Sequence, residues 1–126
     1  QMIVRGICCL IPCHKNMSEN IEVISIVDRF LEHTRFMIFN NNGNCNTFIS
    51  SADWMTRNLD NRVEVTCPIL QDDLKNEILD IFNIYWNDNV KARHVNSSAK
   101  SIISKNNKMQ SQQRIYNYYL NKIERI

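Results

Sequence analysis

The stretch of sequence that decides the fold is ISIVDRFLEHTRFMIFNNNGNCNTFISSADWMTRNLDNRVEV, from Ile24 to Val65. Short apolar runs separated by polar corners are typical of strands, and this stretch contains several. The Asn-rich segment NNNGNCN, residues 40–46, tolerates the positive φ angles of a tight turn and predicts a hairpin. The predicted strands are Ile21–Val27, Phe36–Phe39, Thr47–Ser50 and Arg62–Thr66, with Pro68 ending the last.

The flanking sequence adds one strong helix signal and one apolar run. Apolar residues at three- and four-residue steps from Leu74 to Tyr85 predict a helix. The run Met2–Leu10 predicts a buried strand, with Arg5 inside it. Two loops are predicted, at Ile11–Asn20 and at Asn96–Lys108. The other predicted elements are a helical turn at Asp28–Glu32 with Phe30 and Leu31 facing inward, a short helix at Trp54–Asn58 capped by Asp53, and a strand at Ala92–Val95. A terminal helix is predicted at Met109–Ile126, with Ile115, Tyr119, Ile123 and Ile126 on one face. This mixture of elements predicts an α/β fold with a mixed sheet flanked by helices.

The composition is that of one globular domain. The chain has 126 residues, 44% of them hydrophobic and 22% charged, and we predict a single domain over residues 1–126. No apolar run reaches the roughly 20 residues of a membrane span, and the start QMIVRGICCL lacks the basic leader of a signal peptide. The five cysteines show no repeated C-x-x-C pattern. Free thiols in a reducing compartment are therefore favoured over a metal site, and we predict a cytoplasmic location.

Charge is distributed unevenly along the chain. Residues 1–90 carry 7 basic and 12 acidic side chains, whereas residues 91–126 carry 8 basic and 1 acidic. A basic C-terminal part could attract a polyanion. The alternative is that Lys100, Lys105 and Lys108 only solvate a loop.

Several polar side chains that could bind an anion lie near the ends of the predicted strands. His33 and Arg35 are two residues apart, so in a strand both would lie on the same side of the sheet. The corner Ser50-Ser51-Ala52-Asp53 closes the next strand of the hairpin and could approach His33. A lone histidine near a strand can be structural, but the arginine on the same face and the polar corner favour phosphate binding. Arg5 in a buried strand needs an anionic partner, which is either a carboxylate or a ligand phosphate.

The order of these motifs resembles a known family. H-x-R followed by S-S-x-D looks like the phospholipase D signature, H-x-K followed by G-S-x-N, with Arg35 in place of lysine and Asp53 in place of asparagine. The wider set RGICCL, SEN, SIVDRFLEH, ISSADWMTRNLDNRVEV and VKAR closely resembles the second C-terminal, phospholipase D-like domain of bacterial polyphosphate kinase. The resemblance runs from about Ile3 to Arg93 and continues plausibly through the terminal helix.

The resemblance implies both an activity and its setting. Members of this family are ATP-polyphosphate phosphotransferases, which reversibly transfer the terminal phosphate of ATP to polyphosphate in a tunnel between their domains. The histidine that becomes phosphorylated belongs to the preceding domain, and no segment here matches its motif. We therefore expect a partial domain that is inactive alone. Its expected partners are ATP or ADP, polyphosphate and the remaining domains of the same enzyme, and no nucleic acid is expected. The full-length enzyme is expected to be a cytoplasmic homo-oligomer. Peripheral association with a membrane is left open. Mg²⁺ is expected for the full enzyme, with no ligands in this chain.

The resemblance also implies roles for individual residues. Arg5 corresponds to an arginine that contacts nucleotide phosphate, and His33 to a histidine that lines the same site, as a hydrogen-bond donor or a general acid/base. The remaining matching positions are expected to line the tunnel: Arg35, Ser50, Ser51, Asp53, Arg57 and Asn58. The chain departs from the family at Ile11-Pro12-Cys13, where R-P-G is usual, so substrate affinity or loop shape is expected to differ.

Two alternatives come from other functional classes. The first is a phosphodiesterase of the phospholipase D kind, in which two copies of the chain pair to supply two histidines. The second is a non-catalytic module for polyanion binding or assembly, which would act through residues 91–126.

Overall fold

The computed structural model describes residues 1–6, 8–95 and 107–124, in which four strands precede the first α-helix. These residues form two compact units, the first comprising residues 1–32 and 82–126 and the second residues 33–81. The elements are β1 (Met2–Val4), β2 (Val23–Ile26), β3 (Phe36–Phe39), a 3₁₀ turn (Asn41–Gly43), β4 (Asn46–Ser50), α1 (Thr56–Asn61), β5 (Thr66–Ile69), α2 (Asp72–Trp86), β6 (Ala92–His94) and α3 (Ser111–Ile123). No helix of the described ranges is long and apolar enough to cross a membrane.

The first unit is built around a mixed sheet of order β1-β2-β6. Strand β1 pairs with β2 in parallel, and β6 pairs with β2 in the antiparallel direction. Because β2 is the central strand, its Ile24 and Ile26 are buried, together with Ala92 of β6. Half-buried side chains of Ile3, Tyr85 and Trp86 pack against this core.

The second unit is built around an antiparallel sheet of order β3-β4-β5. The predicted hairpin joins β3 to β4, and Asn41, Asn42 and Gly43 have φ angles of 41°, 53° and 90° in its turn. Asparagine and glycine tolerate this left-handed conformation, which explains the Asn-rich sequence. The predicted class of mixed α and β structure is confirmed, with the strands divided between two sheets.

The segments before and after β1 and β2 differ from the predictions. Strand β1 ends at Val4, so Arg5 follows the strand and is only half-buried. The segment Asp28–Glu32 contains a bend and no helical turn, and Phe30 and Leu31 are 61% and 68% exposed instead of facing inward. Polar groups of this segment bond to side chains of α3, which leaves its apolar side chains outside.

The second unit also corrects two predicted elements. Helix α1 begins at Thr56, and the Asp53 carboxylate does not cap it because that group bonds to Arg35. Strand β5 begins at Thr66, so the alternating residues before it are irregular and Val63 is 99% exposed. Pro68 lies inside β5 opposite Phe48. Proline is tolerated there because β5 is an edge strand, whose outward N–H positions need no partner.

The C-terminal predictions are only partly described. Strand β6 covers Ala92–His94, close to the predicted bounds, and α3 begins at Ser111 and ends at Ile123. On the predicted apolar face of α3, Ile115 is half-buried, whereas Tyr119 and Ile123 are exposed. Residues 96–106 of the predicted loop Asn96–Lys108 lie outside the described residues, as does Ile126, the last position of that face.

Candidate functional site

A continuous chain of hydrogen bonds joins His33, Arg35 and Asp53 in the second unit. Arg35 Nε donates to Asp53 Oδ1 at 2.6 Å, and Arg35 Nη2 lies 2.7 Å from His33 Nε2. Arginine carries only donors, so the histidine nitrogen must accept. An accepting Nε2 requires the neutral imidazole with its hydrogen on Nδ1. The contact with Arg35 therefore selects one tautomer of His33.

The fold brings these three residues together at the open end of the hairpin. Arg35 directly precedes β3, and its carbonyl accepts a hydrogen bond from the Ser50 N–H at 2.9 Å. This bond extends the β3–β4 ladder by one step and places the polar corner Ser50–Asp53 next to Arg35. His33 precedes β3 by three residues and is exposed.

Arg35 and Asp53 shift each other's titration in the direction that keeps both charged. The hydrogen bond to Asp53 raises the pKa of Arg35. The hydrogen bond from Arg35 lowers the pKa of Asp53 below its ordinary value of 3.8, and the charges of Arg35 and Arg57 lower it further. The pair is therefore ionic throughout the neutral range and continues to hold the imidazole.

A second polar network joins Ser51 and Asn58 to Glu64. Ser51 Oγ donates to Glu64 Oε2 and accepts the Val65 N–H at 3.0 Å. Asn58 Nδ2 donates to the other carboxylate oxygen, Oε1, at 2.8 Å. These hydrogen bonds, first that of Ser51 and then that of Asn58, lower the pKa of Glu64. The predicted site residues Ser51 and Asn58 thus hold the local structure of the corner.

Sequence reasoning missed Glu64, although a signal for it existed. Glu64 alternates with the apolar residues Val63 and Val65 within the predicted strand Arg62–Thr66. An acidic residue in the strand that follows the serine-rich corner could have been predicted as a hydrogen-bond partner of Ser51. In the structure Val63 is the solvent-facing residue and Glu64 is half-buried.

Ser50, Arg57 and the amide oxygen of Asn58 complete the predicted set. Ser50 Oγ lies 3.0 Å from Thr66 Oγ1 and accepts the Ala52 N–H at 3.2 Å. Arg57 is exposed on α1. Asn58 is buried, with 2% of its surface exposed, and its Oδ1 has no hydrogen-bond partner within the described part of the chain.

Arg5 lies in the first unit and His33 in the second. Arg5 Nη1 donates to the Phe30 carbonyl at 3.0 Å. The ion pairs among the described residues join Arg35 to Asp53, Lys75 to Asp72 and Lys91 to Asp28, so none of these carboxylates neutralises Arg5. The sequence left two kinds of partner open for Arg5, a carboxylate and a ligand phosphate. No carboxylate of the described residues forms an ion pair with it.

The acidic side chains near the corner do not fit a metal ion. Asp53 is occupied by Arg35, and both oxygens of Glu64 accept hydrogen bonds. Residues 1–6, 8–95 and 107–124 contain no group of three His, Cys, Asp or Glu side chains able to hold a metal ion.

Comparison with known proteins gives concordant results. The sequence model described as "Polyphosphate kinase C-terminal domain 2" matches residues 1–115. Polyphosphate kinase of Vibrio cholerae is 48% identical over 124 residues, which cover 96% of this chain and 18% of the relative. Polyphosphate kinase of Escherichia coli K12 is 47% identical over 120 residues, covering 93% of this chain and 17% of the relative.

A solved structure agrees with the sequence comparisons. The crystal structure of polyphosphate kinase from Porphyromonas gingivalis matches with a TM-score of 0.89 and 46% sequence identity, over 98% of this chain and 19% of that one. This match confirms the phospholipase D-like fold that the sequence resemblance implied. The chain spans less than a fifth of the length of the relatives it matches. By sequence and by structure, the chain belongs to the polyphosphate kinase C-terminal domain 2 family.

Proposed function

We propose that this chain acts as the C-terminal domain 2 of a polyphosphate kinase and supplies groups that bind the phosphates of ATP. The reaction is the reversible transfer of the terminal phosphate of ATP to polyphosphate. The observation that carries the proposal is the Asp53–Arg35–His33 hydrogen-bond chain, because it fixes one imidazole in one tautomer. Since the chain spans less than a fifth of its relatives, it acts together with the remaining domains of such an enzyme.

The tautomer of His33 supports a role as hydrogen-bond donor. With Nε2 accepting from Arg35, the imidazole presents its Nδ1–H, which can donate to a phosphate oxygen. A general-base role would need a free nitrogen lone pair, and Arg35 occupies that of Nε2. A general-acid role would need the protonated ring, whose Nε2–H would then face the Arg35 donor. A fixed donor is what phosphoryl transfer requires, because its catalysis depends mainly on positioning and electrostatic stabilisation.

The two arginines have different roles in this proposal. Arg35 orients His33, because its Nε donates to Asp53 and its Nη2 donates to His33 Nε2. Arg5 uses Nη1 for the Phe30 carbonyl and forms no ion pair with the described carboxylates, so its other N–H groups can bind two phosphate oxygens. The magnesium ion of such an enzyme would take its ligands from outside the described part of this chain.

Replacement of His33 by two different residues distinguishes the donor role from acid–base catalysis. In a complete polyphosphate kinase that carries this chain, we expect His33→Ala to lower ATP-dependent synthesis about 100-fold, as for other lost transition-state donors. Asparagine can place its amide N–H near the position of Nδ1, so His33→Asn should stay within about tenfold of the wild type. Equal losses in both variants would contradict the donor role and favour acid–base catalysis.

The charge distribution favours a second candidate function, polyanion binding without catalysis. Residues 91–126 carry 8 basic and 1 acidic side chains. This candidate predicts salt-sensitive binding of polyphosphate that survives in an Arg5→Ala/His33→Ala double variant. Titration of polyphosphate at two salt concentrations, together with titration of ATP, separates the candidates, because the first proposal predicts weaker binding of ATP by that variant. In the phosphodiesterase alternative, Arg35 would take the place of the lysine of the phospholipase D signature. Its contacts with Asp53 and His33 do not favour that alternative.

A further inference from the structure

The segment Asp28–Glu32 of the first unit is held mainly by polar contacts. Its two large apolar side chains, Phe30 and Leu31, are mostly exposed, so burial of apolar surface contributes little to its conformation. Gln110, directly before α3, and Gln112 of α3 bind it instead. Gln110 Nε2 donates to Asp28 Oδ2 at 2.6 Å, and Gln112 contacts both Phe30 and Glu32.

Gln112 satisfies both backbone polar groups of Phe30. Its Oε1 accepts the Phe30 N–H at 3.1 Å, and its Nε2 donates to the Phe30 carbonyl at 2.9 Å. The same Nε2 lies 2.8 Å from Glu32 Oε1, whose carboxylate also accepts from Tyr85 Oη at 2.6 Å. One side chain of α3 therefore fixes the backbone of this segment from 82 residues away in the sequence.

Arg5 shares the Phe30 carbonyl with Gln112. Arg5 Nη1 donates to that oxygen at 3.0 Å, beside the bond from Gln112 Nε2. The position of the carbonyl sets the direction of the guanidinium, so the conformation of Phe30 determines where the remaining N–H groups of Arg5 point. The segment ends at Glu32, and His33 is the next residue in the chain.

The helix that carries Gln112 is itself anchored. Ser111, its first residue, donates its backbone N–H to Asp88 Oδ2 at 2.7 Å, and both residues are buried. This bond fixes the first turn of α3, from which Gln112 reaches Phe30. The contacts thus run from Asp88 through Ser111 and Gln112 to the carbonyl that Arg5 binds.

We propose that Gln112 is a positioning residue for phosphate binding, which acts through the Phe30 carbonyl on Arg5. This inference rests on the proposed role of Arg5 in binding ATP. When Gln112 is lost, the Phe30 backbone relaxes and the guanidinium follows its carbonyl away from the productive direction. The loss therefore weakens binding of ATP phosphate more than it slows turnover.

A double-mutant cycle on the complete polyphosphate kinase carrying this chain tests the proposal. Gln112→Met keeps the length of the side chain and removes its hydrogen bonds. We expect it to raise the KM for ATP about tenfold, the effect of roughly one hydrogen bond to a charged site, with kcat changed less than about threefold. In an Arg5→Ala background the same substitution should change KM less than about twofold, because the residue through which it acts is gone.

The matched control is Gln113→Met, on the next residue of α3. Gln113 is exposed, and its amide contacts Asn117 on the same helix. This variant should keep the KM of the wild type. A merely structural role of Gln112 would lower the unfolding temperature and the amount of active enzyme but leave KM unchanged, and that result would overturn the proposal. Equal effects of Gln112→Met with and without Arg5 would overturn it too.

Gln112→Glu provides a variant that separates the two bonds to the Phe30 backbone. A carboxylate can still accept the Phe30 N–H, but it cannot donate to the Phe30 carbonyl, and it faces the Glu32 carboxylate. This variant should raise KM at least as much as Gln112→Met, and an unchanged KM would contradict the proposal. If Arg5→Ala itself leaves KM unchanged, the proposed function of Arg5 fails. If Arg5→Ala raises KM and Gln112→Met does not, only the positioning role fails.

Discussion

Replacement of the buried residue Asp88 should destabilise the first unit strongly. Its Oδ1 accepts the backbone N–H groups of Val90, Lys91 and Ala92 at 2.9, 2.7 and 3.2 Å, and its Oδ2 accepts that of Ser111. Only 1% of its surface is exposed, so water replaces few of these bonds when the carboxylate is removed. At about 1 kcal/mol for each of the bonds, we expect Asp88→Ala to lower the free energy of unfolding by about 3 to 4 kcal/mol.

Urea unfolding of the 126-residue chain, followed by circular dichroism, measures this effect. Asp88→Asn provides a graded comparison, because its amide oxygen can still accept while its NH₂ group faces the Ser111 N–H. That variant should lose about half as much stability. Asp60→Ala, on the exposed face of α1, is the control and should unfold like the wild type. A loss below about 1 kcal/mol in Asp88→Ala would refute the reasoning, since orphaned buried N–H groups cost at least that much.

The remaining predictions concern a turn and two titrations. Cys13 has a φ of 58°, a conformation that costs a residue with a Cβ about 1 kcal/mol, so Cys13→Gly should raise the free energy of unfolding while Cys13→Ala should not. Arg35→Met should raise the pKa of Asp53 toward 3.8, as measured by NMR of the carboxyl carbon; an unmoved midpoint would exclude the ion pair. Burial raises the pKa of Asp88, but the hydrogen bonds that it accepts, led by that from the Lys91 N–H, together have the larger effect. The pKa of Asp88 is therefore below its ordinary value of 3.8. Its stabilisation should therefore be complete above pH 3.8 and disappear as the pH falls through the lowered pKa, and acid unfolding that is identical in Asp88→Asn would contradict this.

Elements with local signals could be predicted from the sequence. Strand β3 has the predicted bounds Phe36–Phe39, and the hairpin turn forms where asparagine and glycine tolerate left-handed backbone. Helix α2 includes the predicted apolar residues because its periodicity extends over four turns. In each case neighbouring residues supply most of the information.

Elements that depend on distant residues could not be predicted in this way. The segment Asp28–Glu32 is neither helical nor inward-facing because Gln112 binds its backbone from 82 residues away. Likewise Asp53 was predicted to cap a helix, as its local sequence allows, whereas Arg35 offers the stronger charged partner. Side-chain pairing across the fold overrides local preference at both positions.

The candidate site shows the same division between local and distant information. Spacing suggested that His33 and Arg35 share one face of a strand, but His33 precedes β3, and the direct Arg35–His33 bond is what joins them. Resemblance to the family identified Cys13 as the position of a turn glycine. The structure retains the left-handed backbone there without the glycine, which no pattern in this chain alone would reveal.

The most direct test of the central claim compares two histidine variants in a complete polyphosphate kinase carrying this chain. His94 is exposed on β6 and serves as the control for His33. If His33 binds ATP phosphate, His33→Ala should lose most ATP-dependent polyphosphate synthesis while His94→Ala keeps it. Near-normal synthesis by His33→Ala would contradict the proposed role of this chain in the reaction.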